Sequence, residues 1–199
     1  MPRIARIVAV GYPHHVTQRG NNKENIFIDD TDYLHYLKWI EQYAKEYKLS
    51  ILAYCLMPNH IHSVVVPLVL HALSKCFKIC HMLYSQYFNR KKDRVGHLWQ
   101  GRFHSCVLDE KHLYAAIRYV ETNPVRAKLA QKAEDWKWSS ARAHMGMGKS
   151  IVSLGKVSDF MDISNWGDYL KLDQEKMIEE IRENTLTGRS LRRDTGVCP

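Results

Sequence analysis

Apolar positions along the chain repeat with two periods. From Thr31, a residue type suited to an N-cap, Leu34, Leu37, Ile40, Tyr43, Ala44 and Tyr47 recur at three and four, predicting a helix over 31–47. Leu70, Leu73, Phe77, Cys80, Leu83, Tyr84, Tyr87 and Phe88 predict a second, longer helix that stops near the basic run 90–94 and Gly96. A third carries Leu113, Ala116, Ile117 and Val120, with Asp109 as its cap. It is expected to end before Pro124, whose ring disfavours helix at Asn123. The remaining patterned segments are short. Residues 10–18 alternate weakly up to the turn-rich Arg19-Gly20-Asn21-Asn22; 49–57 is apolar and aromatic; 60–66 is β-branched; 103–108 resembles them. Pro58-Asn59 between the second and third makes a hairpin.

The order β-α-β-β-α-β-α predicts an α+β fold of ferredoxin-like type, an antiparallel sheet with helices mainly on one face. Past Pro124 the pattern dissolves into a short segment at 136–143 and a helix near 173–183. Residues 185–199 are expected to be flexible. With 199 residues, one domain and an appendage are expected, without internal repeats.

Composition narrows the class. Hydrophobic residues at 45 % and charged residues at 25 % exclude a disordered chain, a collagen-like repeat and a small disulfide scaffold. Apolar runs such as 63–70 fall far short of the roughly 18–20 residues of a membrane span, and Gly11-Tyr12-Pro13 interrupts any signal-like segment. Five cysteines (Cys55, Cys76, Cys80, Cys106, Cys198) without pairing pattern point to reduced thiols in a cytoplasmic protein. The net charge of +8 suggests a polyanionic partner. Basic runs at 90–94 and 189–193 read equally well as solvated loops; Arg102, Arg118, Arg126 and Lys128 lie in a more informative stretch.

That stretch follows the sharpest local feature, Pro58-Asn59-His60-Ile61-His62. On a strand, His60 and His62 point to one side, about 6.6–6.8 Å apart along the chain, and two imidazoles can converge on an ion while Ile61 faces the core. In a chain with eleven histidines, two on the polar face of an edge strand is the competing reading. Tyr119 and Asn123 share a helical face, and Asn123 at a frayed end has an amide oxygen free to reach an ion. Two imidazoles and an amide oxygen suit Mg²⁺ or Mn²⁺ holding a phosphate. The competing reading makes Tyr119 core and Asn123 a helix terminator.

Taken together, G-Y-P-H-H-V-T-Q-R-G-N-N, Y-C-L-M-P-N-H-I-H, H-L-W-Q-G-R-F and R-Y-V-E-T-N-P-V-R-A resemble the single-tyrosine HUH transposases, and among them the REP-associated tyrosine transposases. The resemblance covers about residues 8–145, in the same order and spacing. It implies a catalytic domain over 1–145, with 146–199 a C-terminal extension, partly helical with a flexible tail. It further implies that His60 and His62 are metal ligands and Tyr119 the nucleophile. Asn123 takes the third-ligand position, where some relatives carry Gln, and Arg102 lies near the DNA. The implied chemistry is attack of the Tyr119 phenol on a phosphodiester, leaving a 5′-phosphotyrosine link and a free 3′-OH, assisted by Mg²⁺ or Mn²⁺. The implied substrate is single-stranded DNA bearing a hairpin, met at the bacterial nucleoid. Many members of the family act as dimers, so a homodimer is one expectation, which the sequence itself leaves open.

Other residues compete for roles. Tyr84 and Tyr87 lie on the apolar stripe of the long helix and are expected in the core; Tyr114 lies about 140° around the helix from Tyr119. His14 and His15 are read as structural, with a ligand or phosphate contact as the alternative. Cys76 and Cys80 are read as core. Trp99, Phe103, Trp136 and Trp138 are either base-stacking surfaces or core. Two other functions remain: a non-catalytic single-stranded nucleic-acid-binding module on the same scaffold, and a zinc-bound structural protein. The second lacks any Cys-x-x-Cys pair.

Overall fold

The computed structural model describes residues 7–172 and 175–187. Four strands, β1 (His14–Arg19), β2 (Leu49–Met57), β3 (His60–Pro67) and β4 (His104–Val107), form one antiparallel sheet in the order β2-β3-β1-β4. Helices α1 (Asp30–Glu46) and α2 (Ala72–Lys91) make the two crossovers, β1 to β2 and β3 to β4, which gives the ferredoxin-like arrangement. After β4 come α3 (Glu110–Arg126), α4 (Ala141–His144), α5 (Trp166–Lys171) and α6 (Glu175–Thr187).

Both faces of the sheet are covered, rather than mainly one. Val16, Ile61 and Val65 pack with the apolar stripes of α1 and α2. Cys55, Val64, Val66 and Cys106 point the other way, onto α3 and α6. Covered on both sides, β2 and β3 run almost continuously buried instead of alternating between core and solvent.

Two local expectations are corrected. The cap of α1 is Asp29, not Thr31: its carboxylate accepts the Thr31 and Asp32 N–H groups, and Asp32 answers at the Asp29 N–H. Buried Asp32 also takes Lys91 Nζ at 2.6 Å and the Tyr87 hydroxyl at 2.9 Å, tying α1 to the end of α2. The second correction is that α3 does not stop before Pro124 but runs through it to Arg126. Pro124 is buried, and the last turn closes around it, with Ala127 N–H on the Asn123 carbonyl at 2.9 Å and Leu129 N–H on the Pro124 carbonyl at 2.8 Å. Packing outweighs the one hydrogen bond the ring removes.

The segment after residue 145 joins the fold. Gly155 N–H reaches the Ile51 carbonyl at 2.8 Å on the outer edge of β2, and Ile178 and Ile181 of α6 enter the second core. Of the stretch expected to be flexible, Thr185 is instead buried in α6, because its hydroxyl is held beneath the helix; 188–199, with the basic run 189–193 and Cys198, lie outside the described residues. The other four cysteines are buried and free. Among the described residues no helix is long and apolar enough to cross a membrane.

The orientation of α3 rests on Glu121. This fully buried carboxylate accepts hydrogen bonds from Ser140 Oγ, His144 Nδ1 (2.6 Å) and Trp166 Nε1 (2.7 Å), fastening α3 to α4 and α5. Glu121→Ala leaves three donors without their acceptor. It is expected to cost about 3–5 kcal/mol in urea unfolding; a loss below about 1 kcal/mol would show that the network is dispensable.

Candidate active site

Sheet register brings the polar groups together. Facing partners across an antiparallel pair point to one side of the sheet, and Cys55, His62, Thr17 and His104 form one such row across all four strands. His60 and Arg19 form the neighbouring row on one side, His15 and Cys106 the row on the other. All these side chains face α3 and α6, whereas Ile61 between the two histidines is buried toward α1 and α2, as its parity predicts.

Above this row stands α3, presenting Tyr119, Asn123 and Arg126 from one face. The Tyr119 ring meets His62 edge-on at 5.1 Å between centroids and His15 at 5.9 Å. Arg182 of α6 donates from Nε to the Tyr119 hydroxyl oxygen at 3.2 Å. The guanidinium groups of Arg126 and Arg182 lie 4.9 and 5.0 Å from the ring centre. These residues, with Arg19, Arg102 and Phe103, line a cavity of about 870 Å³. Among the described residues, four arginines and no carboxylate face into it.

Hydrogen-bond polarity sets the state of both strand histidines. His60 Nδ1 lies 2.6 Å from Asn59 Oδ1, whose own amide nitrogen donates to the Lys23 carbonyl at 3.1 Å. An amide oxygen only accepts, so His60 carries its proton on Nδ1. His62 Nδ1 lies 3.0 Å from His15 Nε2, and His15 Nδ1 lies 2.7 Å from Thr185 Oγ1. No described residue bonds Nε2 of His60 or of His62, leaving a lone pair on each. The rings themselves are 4.8 Å apart.

Burial keeps these imidazoles neutral. It pushes His15 down to about 3, His14 to about 4 against the opposing Tyr12 carbonyl, and His60 to about 4 with help from the Arg19 charge. His62 is held well below the usual histidine value, first by burial and then by His60, His15 and the Arg182 and Arg19 charges. Neutral imidazole is the form that ligates a metal. Asn123 adds a side-chain amide that is 7 % exposed and makes no hydrogen bond to a described residue, its nitrogen buried without a partner. Two open Nε2 atoms and an orphaned amide fit a mixed nitrogen and oxygen site. Among the described residues no three His, Cys, Asp or Glu side chains could hold a metal, the kind of set a structural zinc site needs.

Of the eight residues singled out in the sequence, six meet here: Tyr119, His60, His62, Asn123, Arg102 and Arg126 all line the cavity. Lys128 is exposed just past α3 and does not line it. Arg118 is 2 % exposed, its guanidinium 5.6 Å from the ring centre of Tyr169, because one residue along a helix turns the side chain about 100° away from Tyr119. Tyr84 is core, and Tyr114 is turned to the Asp162 carbonyl. Among the aromatic candidates only Phe103 reaches the cavity. Trp138 stacks on Tyr33, while Trp136 and Trp99 donate to the Leu56 and His81 carbonyls. Arg19, Arg182 and Thr185 were not anticipated. Strand parity with His15 and Thr17 pointed to Arg19, whereas no local signal marks the two residues on α6.

The fold is thus a ferredoxin-like sheet that carries paired strand histidines beneath a helix-borne tyrosine. The chain belongs to the family described as IS200-like transposases, whose sequence model matches residues 10–123. A REP-associated tyrosine transposase solved bound to a REP hairpin shares the fold, at 20 % identity and a TM-score of 0.57, over 82 % of this chain and 96 % of that one. A candidate transposase from Deinococcus radiodurans R1 aligns at 13 % identity and a TM-score of 0.43, over 61 % of this chain and 97 % of that one. No curated protein sequence matches the chain.

The buried neutral histidines make stability pH-dependent. His14, His15 and His60 titrate near 6.5 when unfolded but near 4, 3 and 4 when folded, so the unfolded chain binds more protons in between. Their stabilising contribution is complete above about pH 6.5 and is lost as the pH falls toward 4. In metal-free protein the melting temperature is expected to drop steadily from pH 7 to pH 4.5; a level profile would contradict the burial argument.

Proposed function

We propose that this protein cleaves and rejoins single-stranded DNA through a covalent 5′-phosphotyrosine link on Tyr119, at a divalent-metal site made by His60, His62 and Asn123. The observation that carries the reading is the convergence of two open imidazole Nε2 lone pairs, an unpartnered amide and a phenol on one arginine-lined cavity. Membership of a transposase family supports it. The structural likeness to a transposase held on a REP hairpin supports a single strand carrying a hairpin as the substrate.

Each residue then has a task. Arg19, Arg102 and Arg126 neutralise the phosphates of the incoming strand. Lys128 suits a phosphate contact outside the cavity. Arg182 holds the Tyr119 oxygen by a charge-assisted hydrogen bond and limits its swing. Mg²⁺ or Mn²⁺ on His60, His62 and Asn123 would offset the negative charge of the scissile phosphate and polarise its phosphorus. The Tyr119 oxygen forms a bond to phosphorus and the phenol loses its proton, while the bond to the 3′ oxygen breaks and that oxygen takes up a proton as a free 3′-OH. No water is consumed, so the ester on Tyr119 conserves the energy needed for rejoining. Residues 1–145 form the catalytic domain in this reading, completed by Arg182 from the extension.

Incubation with hairpin-bearing single strands and Mn²⁺, followed by a denaturing gel, is expected to give a covalent protein–DNA adduct. EDTA and Tyr119→Phe should abolish it, and His60→Ala should lower its rate of formation by roughly 10²–10³-fold. An adduct at wild-type level in Tyr119→Phe refutes the nucleophile. Salt-dependent binding that survives EDTA, with no adduct on any substrate, would instead identify the non-catalytic binding module.

A further inference from the structure

The same hydrogen bonds that leave His62 Nε2 open lead across the molecule into α6. Thr185 Oγ1 donates to the Ile181 carbonyl at 2.6 Å, one turn back along its helix. A carbonyl only accepts, so the hydroxyl proton is committed there and every proton upstream follows. Thr185 Oγ1 must accept from His15 Nδ1 at 2.7 Å, and from the Cys106 thiol at 3.0 Å. His15 Nε2 is therefore the acceptor, and His62 Nδ1 must donate to it across 3.0 Å. The ring centres of His15 and His62 lie 5.2 Å apart with planes within 8° of parallel, as an in-plane hydrogen bond requires, and His15 and Thr185 are 1 % exposed. Water therefore has little access to a relay that runs Ile181 carbonyl, Thr185, His15, His62.

We propose that His15 and Thr185 are positioning residues for His62, acting as a buried relay through which α6 fixes the tautomer and orientation of a metal-ligating imidazole. The inference rests on the metal reading of the preceding section. A ligating histidine needs its far nitrogen held by an acceptor, and here that acceptor is a second histidine made unidirectional by a threonine. His60 obtains the same service locally from Asn59, within its own hairpin. His62 obtains it from a helix whose residue lies 170 positions beyond His15. Both ring nitrogens of His15 and the Thr185 hydroxyl are engaged within the relay, so their effect should fall on metal affinity and on the tautomer of His62.

The test uses the full chain, free of DNA. Mn²⁺ is titrated with detection by electron paramagnetic resonance, and ring tautomers of the metal-free protein are read from long-range ¹H–¹⁵N correlations. Wild-type His15, His60 and His62 are expected as Nδ1–H tautomers. His15→Leu should weaken Mn²⁺ binding about 10–100-fold, and Thr185→Val about tenfold with a mixture of His62 tautomers. Thr185→Ser restores the hydroxyl, and His15→Gln restores an acceptor and a donor at imidazole spacing, so both should bind Mn²⁺ close to the wild-type value. Should Thr185→Val fail to fold, the His15→Leu and His15→Gln pair decides the matter. His62 protonated on Nε2 in the wild type overturns the relay, as does unchanged Mn²⁺ affinity in His15→Leu. A wild-type protein that takes up no Mn²⁺ overturns the metal reading itself, and the inference with it.

Discussion

The structure depends on the pairing register of β1 with β3. Side chains alternate along a strand, so a slip of one residue would send His60 and His62 into the core beneath α1 and α2 and bring Ile61 into the cavity. That alternative is blocked from both sides. Ile61, Val65 and Val16 are needed between the sheet and the first helix pair, while Val64, Val66 and Cys55 are needed between the sheet and α3. Hydrophobic burial on two faces thus places the two imidazoles, although neither contributes to it.

The site balances cost against chemistry in an unusual way for buried polar groups. Imidazoles are tolerated in the interior because they are neutral, and each of the two candidate ligands satisfies Nδ1 while leaving Nε2 open. The charges are placed one layer out, on Arg19, Arg102, Arg126 and Arg182, in a cavity where no carboxylate of the described residues is found. A surface of that kind favours an anionic polymer and repels basic partners.

Much of this was legible in the sequence. The hairpin of β2 and β3 follows from apolar runs bounded by Pro58-Asn59, and the pairing of Tyr119 with Asn123 follows from helical spacing. The cover on the second face was not anticipated, although uninterrupted apolar runs such as 49–57 are the mark of strands covered on both faces. What failed did so for tertiary reasons. Pro124 ends a helix on local rules, but its burial keeps α3 intact. Arg118 looked like one basic residue among several, and only the docking of α5 shows that it lies against Tyr169. Arg182 and Thr185 sit on a short helix whose pattern shows that it is amphipathic without showing which part of the sheet it will meet.

That last feature has a temporal side. The histidine rows, the tyrosine and the asparagine are all translated before α6, yet the bond between His15 and Thr185 joins positions 15 and 185. A chain still emerging from the ribosome carries His60, His62, Tyr119 and Asn123 before it carries the helix that clasps His15. Synthesis order therefore makes the contact between β1 and α6 one of the later ones to form, after the sheet and α3 have been made.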